Sequence, residues 1–150
     1  MKSIRKQMTY PHPPERVWRA LTDPTALATW LMPSDIKPEV GYRFEFRTKP
    51  GPGFDGIIRC EVLIADPPRR LAYTWSGGRR GRPTLVEWQL TPVEGGTQLI
   101  LEHSGFAGLG GLLLRTMLGR GWGHKLREPQ HFQAVLNRLV AEEARSRGYG

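Results

Sequence analysis

From Tyr42 to His103 the chain repeats with a period of two, and this alternation constrains the fold more than any other feature. Tyr42, Phe44 and Phe46 alternate with Arg43, Glu45 and Arg47. Gly56, Ile58, Cys60, Val62 and Ile64 share one phase, with Arg59 and Glu61 in the other. Leu71, Tyr73 and Trp75 alternate with Ala72, Thr74 and Ser76; Val86, Trp88 and Leu90 with Glu87 and Gln89; Thr97, Leu99, Leu101 and His103 with Gln98 and Glu102. Side chains alternate between the two faces of a strand. The pattern therefore predicts five antiparallel strands with an apolar face and a charged face, the latter carrying Arg43, Glu45, Arg47, Arg59, Glu61, Glu87 and Glu102. Burying so many charges would be costly, so this face is expected in solvent. Asp66-Pro67-Pro68 and Glu94-Gly95-Gly96 are turn sequences between strands, and Gly77 to Pro83, with Arg79-Arg80, is a basic loop.

The apolar face needs a cover. Upstream, Ile4, Met8 and Tyr10 predict a first strand over 3–10. His12-Pro13-Pro14-Glu15 opens a helix with Val17, Trp18 and Leu21 on one face. Asp23-Pro24 restarts the chain as an N-cap followed by an N1 proline, giving a second short helix faced by Leu27, Trp30 and Leu31. Downstream, Phe132, Val135, Leu136, Leu139 and Val140 recur at helical spacing after Pro129. Between the last strand and that helix, Leu109, Leu113 and Met117 place a short apolar helix with glycine hinges, suited to a mobile wall. The expected fold is α+β: a curved antiparallel sheet of about six strands wrapped around a long C-terminal helix, with two short helices after strand 1. One domain spanning 1–150 accommodates it.

Several function classes are disfavoured. The single Cys60 excludes an intramolecular disulfide framework and CxxC motifs. No HxxxH, HExxH or facial-triad spacing occurs, so no metal is expected. The glycines at 105, 108, 110 and 111 do not make GxGxxG, so no nucleotide cofactor is expected. Lys plus Arg number 22 against 14 acids, a net charge of +8, but the cations are scattered and no nucleic-acid motif accompanies them. The apolar stretch 105–118 is shorter than the ~20 residues a bilayer span needs, and no signal-peptide core precedes residue 8. A cytoplasmic location is the expectation.

Pro14-Glu15-Arg16-Val17-Trp18-Arg19-Ala20-Leu21-Thr22-Asp23-Pro24, with Leu27 and Trp30, resembles the opening signature of the activator of heat-shock protein 90 ATPase homologue-like family. That family lies in the START-like, or SRPBCC, helix-grip superfamily, which includes the major birch pollen allergen fold. Gly41-Tyr42-Arg43-Phe44 resembles its Gly-Gly-x-Phe strand start, with Tyr42 replacing the second glycine. Leu71-x-Tyr73-x-Trp75, Gly96-Thr97-x-Leu99, His103-Ser104-Gly105-Phe106 and Gly121-Trp122 match later segments in order. The resemblance implies that a hydrophobic or amphipathic small molecule, lipid- or polyketide-like, binds between sheet and terminal helix. It equally admits an enzyme of cyclase, hydrolase or dehydratase type on a polyketide-like substrate, or a co-chaperone role with a chaperone partner.

The inward phase nominates the ligand-binding residues: Phe44, Phe46, Cys60, Tyr73, Trp75, Trp88 and His103, with Trp30, Met32 and Phe106 closing the cavity. No catalytic residue is assigned. His103 or Tyr73 would be the acid–base group of an enzyme, although His103 has no acidic partner in phase. Cys60 has neither a base nor a cationic neighbour in the sequence and fits a small buried hydrophobe. The apolar 105–121 segment needs a surface, either the cavity mouth or a second copy of the chain.

Overall fold

The computed structural model describes residues 3–77, 82–106 and 108–147. Its elements are β1 (Ile4–Tyr10), α1 (Pro14–Thr22), α2 (Pro24–Trp30), β2 (Arg43–Arg47), β3 (Ile57–Asp66), β4 (Arg70–Gly77), β5 (Thr84–Val93), β6 (Gly96–Ser104), α3 (Gly108–Arg127), a π-helical turn (Pro129–Gln133) and α4 (Ala134–Ser146). The six strands form one antiparallel sheet in the order β1-β6-β5-β4-β3-β2. This is the helix-grip α+β architecture. The Arg79-Arg80 part of the basic loop, and the side chains of Leu109 and Leu113, lie outside the described residues.

The two faces separate as the alternation requires. Phe44, Phe46, Ile58, Cys60, Val62, Tyr73, Trp75, Val86, Trp88, Leu99 and Leu101 are all buried on the inner face. On the outer face, Arg43 stands opposite Glu61, and Glu45 opposite Arg59. Ion pairs there join Arg43 to Glu61 at 3.4 Å and Arg47 to Glu45 at 2.7 Å, and Arg70 also meets Glu87. Such exposed pairs contribute little stability, but they keep this face wetted and free of helices.

Ile64 is a correction. The β3–β4 register shifts between Val62 and Ile64. Val62 pairs with Tyr73 on the inner face, whereas Ile64 pairs with Ala72 on the outer one, and Ala65 takes the inward place beside Leu71. A bulge adds one residue to a strand and reverses the phase of everything beyond it.

The two short helices start where the prolines put them. Asp23 caps α2 by accepting the Ala26 N–H on its Oδ2 at 3.0 Å. The Trp30 indole N–H donates to the Ala20 carbonyl at 2.7 Å, locking α2 against α1. Downstream, the glycines of α3 do not interrupt it: the helix runs unbroken for 20 residues. Each glycine costs up to ~1 kcal/mol relative to alanine. The burial of Trp122 and Leu126 against the sheet side offsets part of that. Pro129 instead divides the terminal arm. The π-helical turn drives Phe132 between Tyr10 and Trp30, with ring centroids 4.9 and 4.8 Å apart. Val135, Leu136 and Leu139 of α4 are buried, while Val140 lies outside the core, at the edge of the helix face. Arg16 of α1 holds Glu143 of α4 at 2.6 Å.

Candidate functional site

The site is a cleft of about 280 Å³ between the open edge of the sheet, the end of α2 and the C-terminal half of α3. Leu31, Met32, Trp75, Leu118 and Trp122 make its apolar walls; Thr48, Gly121 and Lys125 complete it. Its size sits near the lower end of ligand pockets, ~300–1,000 Å³. Four of the eight lining residues, Leu118, Gly121, Trp122 and Lys125, are spaced i, i+3, i+4 and i+7 on α3, so one helix face forms one wall. Trp75 comes from β4, and its ring lies 5.4 Å from that of Trp122.

Behind the cleft, Trp122 reaches the centre of the sheet. Its indole N–H donates to His103 Nδ1 at 3.2 Å. Indole nitrogen only donates, so His103 Nδ1 must be the acceptor and Nε2 must carry the ring proton. Nε2 stands 2.7 Å from Thr84 Oγ1, which in turn donates to the Trp75 carbonyl at 3.0 Å. The chain Trp122, His103, Thr84, Trp75 is thus fully satisfied with a neutral imidazole. A second proton would point at the Trp122 N–H. Burial pushes the His103 pKa down to about 4.

The other titratable groups of the inner face are similarly closed. Trp88 donates its indole N–H to the Tyr73 hydroxyl at 3.0 Å, and burial pushes the Tyr73 phenol well above its ordinary range. Burial also raises the Cys60 thiol. Tyr10 donates to the Leu126 carbonyl at 2.8 Å, fastening the end of α3 to β1. His124 and His131 bring their Nε2 atoms within 3.1 Å at the surface, but no third His, Cys, Asp or Glu joins them in a metal-sized group among the described residues.

Of the residues nominated from sequence, Trp75 forms cleft wall, as does Met32. Trp30, Phe44, Phe46, Cys60, Tyr73 and Trp88 are packed within the core behind it, and His103 is buried beside them. Phe106 is half-buried, its ring 4.8 Å from that of His103. Sequence reasoning missed Leu31, Thr48, Leu118, Gly121, Trp122 and Lys125 as lining residues. The i, i+3, i+4, i+7 spacing of the last four, running through Gly121-Trp122, was the available signal.

A family profile described as "Activator of Hsp90 ATPase homolog 1-like protein" matches residues 11–128. Among solved structures, the chain is similar to MLL2253 from Mesorhizobium loti, at 34% identity and TM-score 0.76, covering 94% of this chain and 98% of that one. It is similar to CalU16 from Micromonospora echinospora, at 25% identity and TM-score 0.71, covering 98% of this chain and 83% of that one. It is also similar to DynU16, a protein in the dynemicin biosynthetic locus, at 26% identity and TM-score 0.70. There 94% of this chain is covered, and the chain spans about half of DynU16, 48%. Among curated proteins none matches. No helix among the described residues is long and apolar enough to cross a membrane. With its profile match, its order of elements and a cleft gripped between sheet and helix, the chain belongs to the activator of Hsp90 ATPase homolog 1-like family of the START-like superfamily.

Proposed function

We propose that residues 1–150 act as one START-like domain that binds a small apolar or amphipathic molecule in the α3 cleft. The observation carrying this reading is a set of apolar walls, Leu31, Met32, Trp75, Leu118 and Trp122, around space that the described side chains leave open. Filling it removes apolar surface from water at ~25 cal/mol per Å². The place of the similar DynU16 in the dynemicin biosynthetic locus fits a role with small molecules.

Binding is favoured over catalysis by the state of the candidate acid–base groups. His103 has both ring nitrogens engaged, and the Tyr73 hydroxyl accepts from Trp88 behind the cleft wall. A general base needs a free lone pair within hydrogen-bond reach of substrate.

Gly121→Leu tests the reading. Gly121 lines the cleft and a Cβ there meets nothing within 4 Å, so leucine at this position is expected to take up cleft space at little cost to the fold. Calorimetric titration with the neutral probe 2-acetylnaphthalene should show binding to the wild type and loss of at least tenfold in affinity in Gly121→Leu, with an undiminished melting temperature. Equal affinity in both proteins would refute the cleft as the binding site.

A further inference from the structure

Resting on that reading, the geometry points to an anionic amphiphile, a compact apolar body bearing a carboxylate or similar acid, with Lys125 as its counter-charge. Among the described residues of the cleft walls, Lys125 is the single ionisable side chain and Thr48 the single hydroxyl. The ammonium of Lys125 makes no ion pair or hydrogen bond with any described residue, although ion pairs occur across the rest of the surface. Lys125 is half-buried and shares the cleft wall with the Trp75 and Trp122 indoles. An anionic group at the mouth of the cleft would supply the partner.

The surroundings reinforce this. Across Gly108–Arg127, α3 carries Arg115, Arg120, Lys125 and Arg127 and not one Asp or Glu. None of these four enters an ion pair among the described residues. The helix dipole accounts for cations in the last turn, where His124, Lys125 and Arg127 lie. It does not account for Arg115 and Arg120, and it does not set which last-turn cation faces the cleft, as Lys125 does. A groove walled by low-dielectric side chains and flanked by charge of one sign concentrates ligands of the opposite sign. The small volume favours a compact ring system or a short acyl chain over a bulky polycycle.

The ligand would lie with its body against Trp75, Trp122, Leu31 and Leu118 and its acid group toward Lys125 Nζ. Charge-assisted hydrogen bonds are roughly twice as strong as neutral ones, which translates into about a tenfold preference for an acid over its amide.

Calorimetric titration with 1-naphthylacetate and 1-naphthylacetamide, which share a body and differ in charge, tests this. The wild type should bind the acid about tenfold more tightly than the amide. Lys125→Gln should lower acid affinity to that of the amide and leave the amide within twofold. Lys125→Arg should restore most of the preference, and Arg138→Gln, exposed on α4 and outside the cleft, should keep it. Circular dichroism confirms that each variant is folded. Equal affinities in the wild type, both lost in Gly121→Leu, would overturn the anion preference alone. A preference surviving in Lys125→Gln would also overturn it. Binding of neither probe, or binding untouched by Gly121→Leu, would overturn the cleft reading and this inference together.

Discussion

Trp122 donates its indole N–H to His103 Nδ1 across 3.2 Å, and so one residue of α3 both walls the cleft and holds Nδ1 of the buried imidazole as an acceptor. Trp122→Phe keeps most of the apolar contact but leaves Nδ1 without a donor. An unsatisfied buried acceptor costs ~1–3 kcal/mol. Urea unfolding should show a loss of that size. Loss of a donor that only the neutral ring can accept should also raise the His103 pKa somewhat from about 4, while continued burial keeps it below the ordinary imidazole value, read from the imidazole NMR shifts. An unchanged pKa would remove the assigned role of the indole.

Stability should fall on mild acidification. Unfolded, His103 takes a proton below about 6.5; folded, only below about 4. Between those values the unfolded chain binds more protons, so unfolding gains as pH drops. The cost attributable to His103 between pH 7 and pH 5 is about 2 kcal/mol. His12, also buried and with a lowered pKa from burial and then Arg16, adds in the same direction. Denaturant midpoints measured at both pH values should differ by less in His103→Gln than in the wild type. Identical differences would argue against a neutral, locked His103.

The Trp88–Tyr73 hydrogen bond is wholly buried, and its loss should be visible without any change in shape. Tyr73→Phe strands the Trp88 N–H and should destabilise by ~1–3 kcal/mol. Affinity for the neutral naphthalene probe should stay within twofold, because Tyr73 lies behind the cleft wall. A large loss of binding with unchanged stability would move Tyr73 from the core to the site.

Gly96 and Gly121 should respond to alanine in opposite ways. A Cβ at Gly96 would sit 2.0 Å from the Tyr10 carbonyl oxygen, so β1 must shift. Overpacking of this kind costs ~1–3 kcal/mol, and the rigidity of backbone places Gly96→Ala at the upper end. At Gly121 there is open space, and alanine in a helix is worth up to ~1 kcal/mol over glycine. Thermal melts should separate the two variants in both directions; a stable Gly96→Ala would contradict the close approach.

The strands were legible because one face of the sheet is buried and the other wet, which writes the phase into residues such as Phe44, Arg43 and Glu45. Ile64 was not, because Leu63 and Ile64 are both apolar and a one-residue bulge leaves no mark on such a pair. The continuity of α3 was hidden for a different reason. Glycine lowers helix propensity locally, while the contacts that hold α3, such as Tyr10 to the Leu126 carbonyl, join positions 116 residues apart. The cleft suffered most. Phase identifies which side chains point inward, yet not which of them the packing leaves uncovered. Phe44, Phe46 and Trp88 were filled over by Tyr73, Trp122 and Trp30. Trp75 remained at the wall.

The aromatic rings of the core form a continuous relay. Trp75 lies 5.4 Å from Trp122, Trp122 lies 5.4 Å from Trp88, and Trp88 lies 6.3 Å from Trp30, centroid to centroid. Four of the five tryptophans of the chain therefore lie close enough together for excitation energy to pass from ring to ring. Light absorbed at Trp30, deep beneath the helices, can be passed along the relay to the two indoles that wall the cleft. A molecule resting there whose absorption overlaps indole emission drains the whole set. A single occupant of that kind would thus dim chromophores that it never touches.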